Sequence, residues 1–411
     1  MKTTKHYIPF NYIIVALFAA FIGIFMIFIN IHTESIRQSE SDYSEGWLFD
    51  GNTVDLDSVV TKGTSVSVSK NLPENINYND SLCFASANAI FDVYIGDELV
   101  YRYTQPSNFT GDGYGIAYHN INLSSEQAGK TVRIDFTSAF SIGTSGKIRL
   151  ISIENSQKYF SRLARGQILP FIVSTGILII GVLLFLFSIL FYNSRYKART
   201  ISLSLAATDI GIMMALDTGF LRITTDSILL SRNLFYLSMH LSVLPIAIFL
   251  YTMTKERKKC YRNIFYLFSI IYFAFIIISR FAFNIDMASR LIIRSFFIYT
   301  IVMMIIIFVM ISSDLKYRKA TNRNKDNGIF FFGIISTFIC IMTDIIIYMS
   351  GYRSMSGYST FTRVGFYAFF ICMSIEIVRT WAHEYNSLKK FGFTDELTGL
   401  GNRRSHIRFE K

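Results

Sequence analysis

Three groups of residues in this chain carry side chains that could do more than pack. Near the end, Asp395, Leu397, Thr398, Gly399, Leu400, Asn402, Arg403 and Arg404 stand within ten positions. Gly399 and Gly401 permit a tight turn, Asn402 suits the N-cap of a helix beginning at Arg403, and Asp395 can accept hydrogen bonds from Arg403 or Arg404. That is the chemistry of a joint, which fixes an incoming segment against a new helix. A second group is ionisable in strongly apolar surroundings: Asp209, Asp217, His240, Arg294, Asp344 and Arg363. Such charges are costly unless paired. Opposite signs predict that Asp217 or Asp344 pairs with Arg294 or Arg363, as a structural latch or as the floor of a pocket. The plainer alternative makes Arg294 and Arg363 helix-end residues that snorkel and Asp217 a helix-end cap. The third group is Tyr114, Tyr118 and His119, in or just after a stretch that also holds Gly111, Gly113 and Gly115. Aromatic side chains on a glycine-rich loop suit stacking on a sugar or another small molecule. They equally suit capping an ordinary long loop.

The elements that position these residues follow from composition and periodicity. Hydrophobic residues make up 51% of the chain, more apolar surface than a soluble core of this length uses, so a membrane protein is expected. The formal net charge of +11 would suggest nucleic acid in a soluble domain. Here the Lys and Arg residues lie in short loops between apolar runs, which is the pattern of cytoplasmic loops, and nucleic acid is not an expected partner. The cysteines are Cys83, Cys260, Cys340 and Cys372. Only Cys83 falls in the polar N-terminal region, so no disulfide is expected within it, and no metal-ligand spacing exists.

Residues 1–7 are short and basic. The apolar run from Ile8 to Ile31 is long enough to span a bilayer and reads as an uncleaved signal anchor rather than a cleaved signal peptide. Residues 33–166 alternate at period two. Ser65 to Ser69, Ala89 to Ile95, Leu99 to Tyr103, Thr131 to Phe136 and Lys147 to Ile153 read as strands, with a hairpin at Gly96-Asp97-Glu98. The expected class is an antiparallel β-sandwich. The order of its segments, over Leu82 to Ile153, resembles the jelly-roll domains that often bind carbohydrates.

Seven apolar runs follow, Ile168–Tyr192, Ile201–Phe220, Asn233–Met253, Asn263–Asn284, Leu291–Ser312, Ile329–Ser350 and Phe361–Ile377, each near the ~20 residues of a spanning helix. Arg195, Lys197 and Arg199, then Lys255, Arg257, Lys258, Lys259 and Arg262, then Lys316, Arg318, Lys319, Arg323 and Lys325 occupy alternate loops. Basic loops face the cytoplasm, so the β-region is expected outside and both termini inside. No inverted repeat or pair of broken helices speaks for a transporter.

The last run continues past the expected bilayer. Ile371, Ile375, Val378, Ala382 and Tyr385 are spaced as a coiled-coil seam, which in residues 378–392 would join two copies into a parallel homodimer. One amphipathic helix lying on the membrane fits the same spacing. Gly392 is expected to end the helix.

An outer jelly-roll-like domain, a bundle of seven helices and a cytoplasmic module together resemble the bacterial seven-transmembrane receptors with diverse intracellular signalling modules. The module is identified by Asp395-Glu-Leu-Thr-Gly-Leu-Gly-Asn-Arg-Arg404. It matches the opening signature of GGDEF domains, the diguanylate cyclases, at all eight fixed positions, Asp395, Leu397 to Leu400 and Asn402 to Arg404. The resemblance implies an α/β domain that condenses two GTP into cyclic di-GMP with magnesium or manganese, each protomer of a dimer holding one GTP. It also implies that the catalytic carboxylates and the Gly-Gly-(Asp/Glu)-Glu-Phe loop come later than residue 411. Residues 1–411 alone are expected to hold no cofactor and no cyclase activity. The competing expectation is a non-enzymatic receptor or carbohydrate-binding membrane protein with a vestigial tail.

Overall fold

Alternating burial builds the first half of the molecule. The computed structural model describes residues 43–56, 59, 61, 64–104, 116–138, 146–190, 197–224, 228–254, 258–283, 285–287, 289–320, 328–349 and 360–393. The first apolar run, Tyr114 and the Asp395–Arg404 signature lie outside them. Among the described residues nine strands come first: β1 (Trp47–Phe49), β2 (Asn52–Val54), β3 (Val66–Asn71), β4 (Asp80–Ala87), β5 (Ala89–Ile95), β6 (Glu98–Tyr103), β7 (Ile116–Asn122), β8 (Thr131–Ser138) and β9 (Lys147–Asn155). They form a six-stranded sheet ordered β2-β1-β3-β8-β5-β6 and a three-stranded sheet ordered β7-β4-β9. Every strand pairing is antiparallel. The expected hairpin joins β5 to β6, with Ile95 opposite Glu98 and Gly96 at φ 62.

The two sheets share one core. Val68, Phe91, Val93, Val132, Ile134 and Phe136 come from the larger sheet, and Leu82, Phe84, Ile121, Ile148 and Ile151 from the smaller. In β5 burial alternates strictly, as a half-covered strand requires. In β4 it does not: Ser81 to Ser86 are all buried, because the start of the helix that follows β9 packs on its outer side at Ser81 and Cys83. Asn88, in the left-handed region at φ 49, carries the chain from β4 in one sheet to β5 in the other.

The second half is helical: α1 (Ser156–Leu190), α2 (Lys197–Asp217), α3 (Phe220–Thr224), α4 (Ile228–Leu241), α5 (Val243–Met253), α6 (Lys259–Phe283), α7 (Arg290–Ala320), α8 (Gly328–Met349) and α9 (Thr360–Phe393). Six helical segments among the described residues are long and apolar enough to cross a membrane, with α4 and α5 together making one of them. The chain is therefore a multi-pass membrane protein. In α8 the described apolar stretch, Phe332–Asp344, is shorter. Large apolar side chains such as Ile270, Phe281, Phe308 and Ile339 point away from the bundle, where lipid tails would cover them.

Sequence boundaries are corrected in three places. The first bundle helix begins at Ser156, not Ile168, because β9 feeds it directly. The run Asn233–Met253 is broken at Ser242: Pro245 has no N–H for the Leu241 carbonyl and its ring crowds that oxygen. Gly392 does not end the last helix, which continues to Phe393.

Glycine sets how closely the helices cross. A Cβ on Gly181 of α1 would lie 2.5 Å from the Thr208 amide nitrogen of α2, and one on Gly211 of α2 would lie 2.6 Å from the Leu178 nitrogen of α1. On the other side of the bundle a Cβ on Gly365 of α9 would lie 2.8 Å from Cys340 Cβ of α8. Small residues at the crossing are how helices pack when no hydrophobic driving force separates them from lipid.

Candidate functional site

The sheet region and the bundle meet at a polar seam built where β9 becomes α1. Asn155 caps the helix, its Oδ1 accepting the Gln157 amide at 2.8 Å. The Ser156 hydroxyl donates to Ser81 Oγ of β4 at 2.8 Å and accepts from Asn120 Nδ2 of β7 at 3.3 Å. Its first turn is thus tied to all three strands of the smaller sheet. Glu154 on β9 is buried and accepts from Ser152 Oγ at 2.7 Å and from the Arg162 guanidinium two turns into α1. Tyr159 is wholly enclosed between them. Cys83 faces the same seam, and burial, with the Glu154 charge added, pushes its thiol up to about 12. A thiol so protonated is a packing group, not a nucleophile.

Tyr118 and His119 are neighbours in β7, so the pleat sends them to opposite faces. This corrects the expectation that Tyr118, at the end of a loop, and His119, just after it, present their rings together to a ligand. His119 points into the core between the sheets, among Phe84, Phe91, Tyr101 and Tyr103. Its Nε2 lies 2.8 Å from Ser86 Oγ and its Nδ1 3.3 Å from Tyr101 Oη. Burial pulls its pKa down to about 3, so it is neutral. Tyr118 points the other way, to the bundle. Its hydroxyl lies against Gly219, where a Cβ would come within 3.1 Å of it.

Of the six ionisable residues picked from the apolar runs, the structure brings together three. Arg363 Nη2, in the first turn of α9, donates to Asp217 Oδ2, at the end of α2, at 2.6 Å. Arg363 is 1% exposed. Asp344 of α8 accepts the backbone amides of Phe361 and Thr362 at 3.3 and 2.6 Å, and so caps α9 from a neighbouring helix. Arg294 is exposed on α7 and takes no place in this cluster. His240 of α4 lies elsewhere, with Nδ1 2.6 Å from Tyr272 Oη of α6. Asp209 of α2 faces Ser238 of α4.

Sequence reasoning missed a second buried ion pair. Arg232 in the first turns of α4 donates to Asp286, just before α7, and both are buried. Both lie just outside the apolar runs, Arg232 before Asn233–Met253 and Asp286 between Asn284 and Leu291. The available signal was opposite charges, Arg232 and Asp286, bounding apolar runs on the same expected side of the bilayer. Tyr272 and Tyr299 were also missed; their rings stack at 4.2 Å between α6 and α7, and Ser269 lies 2.7 Å from Tyr299 Oη.

Along α9, Ile371 and Ile375 are half-buried, and Ile375 packs on the bundle's own core. Val378 is 48% exposed and Ala382 half-buried. The Tyr385 side chain lies outside the described residues. Among the described residues no group of three or more His, Cys, Asp or Glu side chains is placed to hold a metal ion. No model of a known protein family matches this chain, and no curated protein matches it significantly.

Proposed function

We propose that this chain is a membrane signal-transduction sensor. In this reading the β-region lies outside the cell, both termini are cytoplasmic, and α9 relays a change to the domain that begins at Asp395. That domain would be a diguanylate cyclase using GTP and magnesium or manganese, with its catalytic groups beyond residue 411. The orientation follows from the basic loops named above. A parallel homodimer is part of the proposal, because a GGDEF product needs two protomers. A small molecule or carbohydrate remains the class of signal.

The observation that carries the reading is the length and place of α9. Its 34 residues make a rod of about 51 Å at ~1.5 Å per residue, against a hydrocarbon core of ~30 Å. The helix begins at the buried Arg363 cluster and is described as far as Phe393, two positions before the signature. A rod fixed at one end in the bundle and leading into the output segment can carry a shift or rotation to it.

The test is a fusion in which an active diguanylate cyclase domain replaces residues 395–411 in register, with cyclic di-GMP measured in cells lacking other cyclases. Output that changes several-fold when Glu154→Ala loosens the junction supports the relay. Output indifferent to every change in the β-region and α1 rejects it.

A further inference from the structure

Asp217 and Arg363 each oppose the dipole of their own helix. Asp217 is the last residue of α2, where free carbonyls disfavour a carboxylate. Arg363 lies in the first turn of α9, where free N–H groups disfavour a cation. Alone, either would loosen its helix end; paired at 2.6 Å, each supplies the other's counter-charge. Arg363 is enclosed, and its Nε and Nη1 have no hydrogen-bond partner among the described residues. The bond from Nη2 to Asp217 therefore holds the side chain, while Asp344 holds the α9 backbone from the opposite helix, α8.

Two residues beyond Asp217 stands Gly219, at φ 78, against the Tyr118 hydroxyl of β7. Thr218 between them is buried, with its hydroxyl bonded to the Ala215 carbonyl at 2.7 Å, and the next helix starts at once as Phe220 stacks on Phe171 of α1 at 4.8 Å. The end of α2 therefore has little slack to absorb a displacement of Tyr118.

We propose that the Tyr118–Gly219 contact and the Asp217–Arg363 ion pair form one latch, through which β7 sets the first turns of α9. This rests on the relay reading and says how its output helix is controlled. With the latch closed, α9 is held by both α2 and α8. A movement of β7 that withdraws Asp217 leaves α9 held by α8 alone, with the Arg363 guanidinium free to turn to Asp344. The two arrangements are discrete because an enclosed guanidinium must keep a counter-charge.

Hydrogen exchange on the full chain in lipid nanodiscs tests this, read at the amides of residues 364–370. Asp217→Asn is expected to speed their exchange by about tenfold, the worth of one charge-assisted hydrogen bond. Tyr118→Ala should speed it in the parent chain and add nothing in the Asp217→Asn background. Asp217→Glu keeps the charge and should preserve the Tyr118→Ala effect, which separates the latch from a general loss of folding. No change with Asp217→Asn, or an equal Tyr118→Ala effect in both backgrounds, overturns the latch. The cyclase fusion reads the relay separately. Output indifferent to a latch that responds in exchange rejects the relay alone, and output sensitive to Glu154→Ala with no Asp217→Asn effect on exchange rejects the latch alone.

Discussion

Glu154 and Arg162 form an ion pair across the point at which β9 becomes α1, with no residue between strand and helix. The pair converts a covalent connection into a rigid one, since a strand–helix bond alone would still swivel about its backbone dihedrals. Glu154 is buried while Arg162 keeps partial access to solvent, 23% of its side chain. Removing the carboxylate strands the guanidinium and the Ser152 hydroxyl. Glu154→Ala is expected to cost about 2–4 kcal/mol, less than for a fully buried pair because Arg162 can hydrate. Thermal unfolding in detergent would show this as a lowered midpoint, and Glu154→Gln, which keeps an acceptor, should lose less.

His119 gives the β-region a pH dependence. Its ordinary value is 6.5 and burial lowers it to about 3 in the folded state, so the unfolded chain takes up the proton first. Stability is complete above pH 6.5 and falls as pH drops towards 3, by about 1.4 kcal/mol per unit once below 6.5. The chain has two tryptophans. Trp47 is enclosed in the β-core and Trp381 lies on α9, so Trp381→Phe leaves Trp47 as the sole reporter. Its fluorescence midpoint in denaturant should fall with pH across this window, and His119→Gln should flatten the trend.

The α1–α2 crossing is predicted to reject a single methyl group. Gly→Ala inside a helix favours the helix by about 1 kcal/mol. At Gly181 and Gly211 the added carbon would press on backbone nitrogen at 2.5 and 2.6 Å, which cannot rotate away. Overpacking of about 1–3 kcal/mol should therefore win. At Gly333 the nearest atom is the flexible end of Met373 at 3.0 Å, and the same substitution should be tolerated. Comparing the midpoints of thermal unfolding for the three variants decides this.

The legible parts of the fold were those written in a period. The start of β3, and β5 and β8, alternate because one face meets the core and the other does not, and the apolar runs are long because lipid is uniform. β4 was legible only as the apolar segment that opens the jelly-roll order at Leu82: both of its faces are covered, so its alternation vanishes. The Asp217–Arg363 pair was legible as opposite charges at matched depth. Its choice over Arg294 was not, since which face of a helix meets a neighbour depends on packing rather than on position along the chain. His119 was misplaced for the same reason. A polar residue just after a glycine-rich loop looks like a ligand contact until the pairing of Phe84 with His119 turns it inward. Gly219 carried no signal at all, because a glycine after a helix is an ordinary stop and its neighbour came from a distant strand.

Pairing of two copies along α9 can be decided by disulfide trapping. The face used for packing within one copy carries Phe369, Phe370, Cys372, Met373 and Ile377. Ile371 and Val378 lie on the opposite side of the helix from that face, at ~100° per residue, and Val378 is 48% exposed. Ile375, by contrast, packs partly on its own bundle core. A contact between copies should thus centre on Val378 and continue towards Tyr385. Of the native thiols Cys83, Cys340 and Cys372 are buried and Cys260 is exposed, so Cys260→Ser gives a quiet background. In that background Val378→Cys should form a disulfide-linked dimer in membranes under mild oxidation. Arg379→Cys, exposed one position along and turned ~100° around the helix, should link far less. Equal linking at both positions would mean random collision. No linking at Val378 would mean that α9 does not meet a second copy there, and the homodimer part of the proposed relay would fall.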